Sequence, residues 1–101
     1  MLRDFFLGFM RIHVLHHASS EPIYGLWLIE ELERHGYKLS PGTLYPMLHN
    51  LEKEKVLKSF TKIVGGKTRK YYRTTAKGNK TLSEVKKKIT ILVEEILDKE
   101  T

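Results

Sequence analysis

The sequence predicts a mainly α-helical fold with one small β-hairpin and a long closing helix. Three observations carry that prediction. Apolar residues recur at helical spacing in four stretches, two runs rich in β-formers flank Gly65-Gly66, and no linker-like segment divides the chain. At 101 residues the chain makes one domain whose core is feasible but small, so a dimer would add useful buried area.

The first helix is expected over residues 3–18, "RDFFLGFMRIHVLHHA". Phe5, Phe6, Phe9, Met10, Ile12, Val14 and Leu15 wrap most of its circumference, so it should be covered on more than one side. "SSEP", Ser19 to Pro22, reads as a stop and restart, with a serine cap and then acid and proline in a new first turn. The second helix, about Ile23 to His35, places Gly25, Leu28, Ile29 and Leu32 on one side. It ends at Gly36, which suits the left-handed position beyond a helix.

The third helix is expected over Leu44 to Glu54, with Leu44, Met47, Leu48 and Leu51 on its inner face. Pro46 interrupts that pattern, where a missing N–H and a ring clash cost about 3 kcal/mol. With Ser40 as N-cap and Pro41 first in the helix, Pro46 makes a kink. With Thr43 as cap, Pro46 falls in the first turn at little cost. Either way the head is stiff and presents Thr43, Tyr45 and backbone N–H groups to an anion.

Two β segments follow, about Leu57 to Ile63 and Arg69 to Thr75, joined by "VGGKT". The last helix runs from near Thr75 to about Leu97. Its Leu82, Val85, Ile89, Leu92 and Ile96 are spaced 3, 4, 3, 4, the seam of a coiled coil. Little more than two heptads long, that seam needs a partner subunit and the greasy first helix to hold it.

Charge narrows the partner. Lys53 to Lys80 contains ten basic residues and one acid, so it carries +9 while the rest of the chain carries −3. Such a block is the footprint of a polyanion. An anionic membrane is the weaker partner, because the block lacks a basic amphipathic helix with aromatic anchors. "FFLGFM" is too short for a membrane span or a signal core, and there is no cysteine for a disulfide or thiolate metal site. The expectation is a soluble, cytoplasmic protein without membrane association or cofactor. No nucleophile, base and orienting acid recur at a recognisable spacing, so an enzyme is not expected.

Three helices, a hairpin with a glycine tip and a long helix follow the order of a winged helix-turn-helix, with Gly36 to Leu39 as the turn. Residues 1–80 would form the DNA-binding domain, and 81–101 a dimerisation helix continuous with it. The outward face of the third helix carries Gly42, Pro46, His49 and Lys53, flanked by Thr43, Tyr45 and Asn50. The candidate DNA contacts are Ser40, Thr43, Tyr45, His49, Asn50 and Lys53 on that helix, with Lys67, Arg69, Lys70 and Tyr72 on the wing. Tyr71 and Tyr72 point to opposite faces of their strand, one toward the core and the other along DNA or the wing.

"SPGTLYPMLHNLEKEKVL" followed by "GGKTRKYYRTTAKG" is similar to the motif pair of PadR-like transcriptional regulators, and "PIYGLWLIEELERHGY" resembles their second helix. The resemblance runs from about Phe5 to Lys80 and points to the compact branch with one C-terminal helix. It implies a homodimeric winged-helix repressor whose last helix dimerises against the partner's first and last helices. The interface residues would be Phe5, Phe9, Leu82, Val85, Ile89, Leu92 and Ile96. Three positions depart from the family pattern. Glu54-Lys55-Val56 stands for Glu-Gly-Leu, Gly25-Leu26 for Gly-Tyr, and Arg73-Thr74-Thr75 for Arg-Leu-Thr.

His13, His16 and His17 sit at i, i+3 and i+4 without a nearby carboxylate or cysteine, so they read as surface or interface histidines rather than metal ligands. Trp27 lies roughly opposite Leu28, Ile29 and Leu32, where it packs against another helix or lines a pocket for a small aromatic effector. The leading reading is a repressor that binds double-stranded DNA as a homodimer on a palindromic operator. The competing readings are a winged-helix interaction module that reads no sequence, and a histidine metal sensor.

Overall fold

The computed structural model describes residues 1–98. Its elements are α1 (Leu2–Ser20), α2 (Gly25–Arg34), α3 (Pro41–Lys53), β1 (Leu57–Val64), β2 (Lys67–Thr74) and α4 (Ala76–Val93), with a π-helical turn at Glu94–Asp98. The order matches the expectation, and the departures lie at the joints.

The first joint is "SSEP". Ser19 and Ser20 donate their hydroxyls back to the His16 carbonyl at 2.7 and 3.5 Å, so both close the last turn of α1 and neither caps α2. Glu21, which precedes a proline, is extended. Ile23 is not helical. Its N–H donates to the Tyr72 carbonyl at 2.9 Å and its carbonyl accepts the Tyr72 N–H at 2.7 Å, which lays a one-residue third strand beside β2. α2 therefore starts two residues later than expected, behind Tyr24.

Both ends of the helix-turn-helix stop by the same device. Gly36, at φ +86°, donates to Glu33 O at 3.0 Å while Tyr37 N–H reaches Leu32 O at 2.9 Å. This 5→2 and 6→1 pair is the Schellman stop. α3 repeats it with Lys55 in the left-handed position at φ +67°, donating to Glu52 O at 2.9 Å, and Val56 N–H reaching Leu51 O at 3.1 Å. Lys55 thus takes a backbone conformation that a glycine adopts more readily.

The head of α4 locks that turn. Thr75 donates its hydroxyl to Lys55 O at 2.6 Å and its N–H to Val56 O at 3.1 Å, while its Oγ1 caps α4 by accepting from Gly78 N–H at 3.0 Å. Gly78 is required here, because a β-carbon would collide with the Val56 carbonyl oxygen.

The core gathers Met10, Val14, Leu15 and Ala18 of α1, Leu28 and Leu32 of α2, the four inward residues of α3, and Leu57 and Tyr72 of the hairpin. Leu82 belongs to the same core. It is 4 % exposed within its own chain, so it packs chiefly inside the subunit rather than along the expected dimer seam. Beyond Leu82 the last helix projects. The molecule measures 58 × 28 × 21 Å with a radius of gyration of 15.1 Å, against about 13 Å for a compact chain of this length. No helix among the described residues is long and apolar enough to cross a membrane.

Candidate nucleic-acid interface

α3 begins at Pro41 rather than Leu44, with Ser40 as the extended N-cap, so Pro46 lies in the helix interior. The proline removes the N–H that would bond the Gly42 carbonyl one turn earlier. The head is less rich in donors than expected. Ser40 O accepts the N–H groups of both Thr43 and Leu44, at 3.0 and 2.9 Å, and Pro41 has no N–H. The Ser40 hydroxyl donates to Thr43 Oγ1 at 3.2 Å instead of capping the backbone. Among the described residues, the Gly42 N–H is the first-turn donor without a partner.

Leu44, Met47, Leu48 and Leu51 are buried, which turns Tyr45, His49, Asn50 and Lys53 outward and leaves Thr43 half-buried. Tyr45 leans back on α2. A β-carbon on Gly25 would lie 2.6 Å from its Cε1 and hydroxyl, so the ring lies flush on the start of α2. Tyr45 and His49 line a recess of about 310 Å³ together with Tyr24 and Gly25 and with Arg69 and Lys70 of the wing.

The wing is fastened to α3 through Glu52, whose Oε2 accepts the Ser59 hydroxyl at 2.5 Å while Oε1 lies 3.8 Å from Lys70 Nζ. Arg69 lies over the Tyr24 ring, its Cζ 4.1 Å from the centroid, a cation–π seat that narrows its freedom. Lys67 is exposed beside the tip, where Gly65 and Gly66 take φ of +58° and +78°. Two successive positive φ values make the type I′ turn that matches hairpin twist. Glu52 and Tyr24 had no signal in the sequence, since one looks like any helix acid and the other like any residue before a helix.

A family model described as the transcriptional regulator PadR-like family matches residues 14–84. The chain belongs to that family. It is 44 % identical over 96 residues to the transcriptional regulator Rv3488 of Mycobacterium tuberculosis, covering 95 % of this chain and 90 % of that protein. A PadR family transcriptional regulator from Eggerthella lenta superposes with a TM-score of 0.83 at 35 % identity, covering 95 % of this chain and 85 % of the other. A PadR-like regulator from Bacillus cereus gives 0.83 at 32 % identity, covering 90 % of each. These likenesses make the protein a transcriptional regulator with the PadR winged-helix fold, and such a regulator binds DNA. The names are those of regulators rather than of an enzyme class.

Within this PadR-like chain one expected DNA contact is misplaced. Tyr72 is 2 % exposed, because its bridge to Ile23 turns the ring into the core. Tyr71 is the partner that faces outward, stacked on Phe60 at 5.5 Å between ring centroids. Trp27 is half-buried on the core, edge-on to His17 at 5.6 Å. His13 packs between Phe9 and Tyr37, at 4.8 and 5.2 Å. Burial, and then the neighbouring imidazoles, hold His13 and His17 below the usual histidine range. Among the described residues no group of three or more ligating side chains is placed to hold a metal.

Proposed function

We propose that this PadR-like regulator represses transcription as a homodimer reading a palindromic operator. α3 enters the major groove with His49 and Asn50 at base edges and Tyr45 beside a phosphate. Lys67 and Arg69 of the wing reach the neighbouring minor groove or backbone. The observation that supports this reading most is the polar outer face of α3, set beside a hairpin whose two strands carry six cations and no acid. Lys53 extends the same positive edge, and Ser40 with Thr43 forms its head.

The dimer is proposed from the far half of α4. Ile89, Leu92 and Ile96 are 39 %, 52 % and 57 % exposed along one side, and Phe5 is open on α1. Val85 and Phe9 are half-buried. An apolar ridge of this length is costly to leave in water. Two copies joined through it carry two α3 helices, which on a two-fold axis meet half-sites about one DNA turn, 34–36 Å, apart. An aromatic effector at Trp27 would have to open the His17 contact. The protein is placed in the cytoplasm, where its DNA is.

Selection of bound sequences from a random duplex pool tests the reading. A palindrome with half-sites one turn apart is the expected result, and a pool that stays random overturns it.

A further inference from the structure

The outer face of the wing carries a second pattern, which shares Arg69 with the proposed duplex contacts and whose other residues those contacts leave unused. Cross-strand partners share a face, so the register places Lys58 with Arg73, Phe60 with Tyr71 and Lys62 with Arg69 in successive rows. Tyr72 points into the core from the opposite face, so these rows point out. Rows two residues apart along a strand lie about 7 Å from one another. The result is a ladder of cation pair, aromatic pair, cation pair.

Two of those rows set like charges directly opposite, which destabilises a hairpin. Lys62 lies 5.8 Å from the Tyr71 ring and Arg69 sits on Tyr24, so the aromatics offset one row. Lys58 and Arg73 have no such relief. They line a recess with Glu21, yet form no ion pair with it, and none of the four cations forms one among the described residues. Phe60 stacks on Tyr71 at 12° between ring planes, and it floors a second dent of about 440 Å³ flanked by Lys58 and Arg73.

We infer that this face binds an unpaired polynucleotide strand, with phosphates on the cation rows and a base stacked on Phe60. Charge complementarity selects a polyanion, and the aromatic between the rows selects one whose bases are free. Bases in a duplex are stacked on one another and have no face to give Phe60. Stacking platforms between backbone-tracking cations are how proteins hold single strands without reading sequence. The inference does not rest on operator reading, since α3 takes no part in it.

Anisotropy titrations with short fluorescein-labelled oligothymidylate and oligouridylate test the inference, with a random duplex of equal length as control. The protein is expected to bind at least one of the two strands. Phe60→Leu, which keeps the apolar area and loses the ring, should weaken that binding by roughly five- to a hundredfold, the range for removing one base stack. Phe60→Trp should retain it, and both variants should bind the duplex as the parent does. Lys58→Gln with Arg73→Gln should weaken strand binding and flatten its salt dependence. The inference is overturned if neither strand binds, or if Phe60→Leu binds them as tightly as the parent. A loss in Phe60→Leu matched on the duplex also overturns it, since the face would then serve duplex phosphates. Operator discrimination by His49 and Asn50 variants is a separate readout, so either idea can fail alone.

Discussion

Gly25 and Tyr45 share one space: the tyrosine ring sits 2.6–2.7 Å from where a β-carbon on the glycine would be. The atoms in the way are the far end of a side chain that can swing. Gly25→Ala should therefore cost modest stability, about 1 kcal/mol, while displacing Tyr45 from the recess and weakening DNA binding. Tyr45→Ala should suppress the stability cost in the double variant. Thermal unfolding and duplex titration of the three variants check this, and additive stability losses would contradict it.

Lys55 holds a left-handed conformation that costs an L-residue roughly 1 kcal/mol or more. Its side chain is exposed, and its anchor to Thr75 runs through the backbone carbonyl, which a glycine retains. Lys55→Gly should raise unfolding free energy by about 0.5–1 kcal/mol. Denaturant unfolding measures it, and a loss of stability would contradict the strain.

Much of this fold was legible in the sequence, because the 3–4 spacing of Leu44, Met47, Leu48 and Leu51 admits one inner face. Strand alternation is weaker evidence. It puts Tyr71 and Tyr72 on opposite faces without saying which is inward, and the pairing of one residue, Ile23, decides that. A single bridging residue has no periodicity to detect. Leu82 and Ile89 show the same limit, since a seam has one spacing whether its partner is α1 or another chain. Distance from α1 separates them, and distance is not written in the heptad.

Acid should weaken the fold through α1. His13 and His17 titrate below the usual range in the folded chain, whereas the unfolded chain takes up those protons near pH 6.5. The unfolded state thus binds more protons as pH falls below about 6.5, and stability drops until the folded values are passed. The groups facing this pair are Phe9, Tyr37, Trp27, His16 and His35, the last beside Glu31 at 3.2 Å. The thermal midpoint should fall between about pH 7.5 and 5.5, and His13→Gln with His17→Gln should flatten that slope. An unchanged slope would assign the effect elsewhere.

The proposed dimer depends on Ile89 and Leu92, not on Leu82. Ile89→Asp with Leu92→Asp places charge on the exposed ridge and should give a monomer that keeps its helices or unfolds at lower temperature. Sedimentation and circular dichroism report both. A well-folded dimer of this variant would remove the ridge from the interface.

Whether α3 is the reader is tested most directly by the ratio of affinities for the selected operator and a scrambled duplex, measured across salt concentrations. Asn50→Ala and His49→Ala should each narrow that ratio by about 1–3 kcal/mol, the discrimination that one side chain on a base edge supplies. Lys67→Ala should weaken both duplexes alike and reduce the log–log salt slope by roughly one unit. If Asn50→Ala, His49→Ala and Tyr45→Ala all leave the ratio at its parental value, α3 does not read the operator and the account fails.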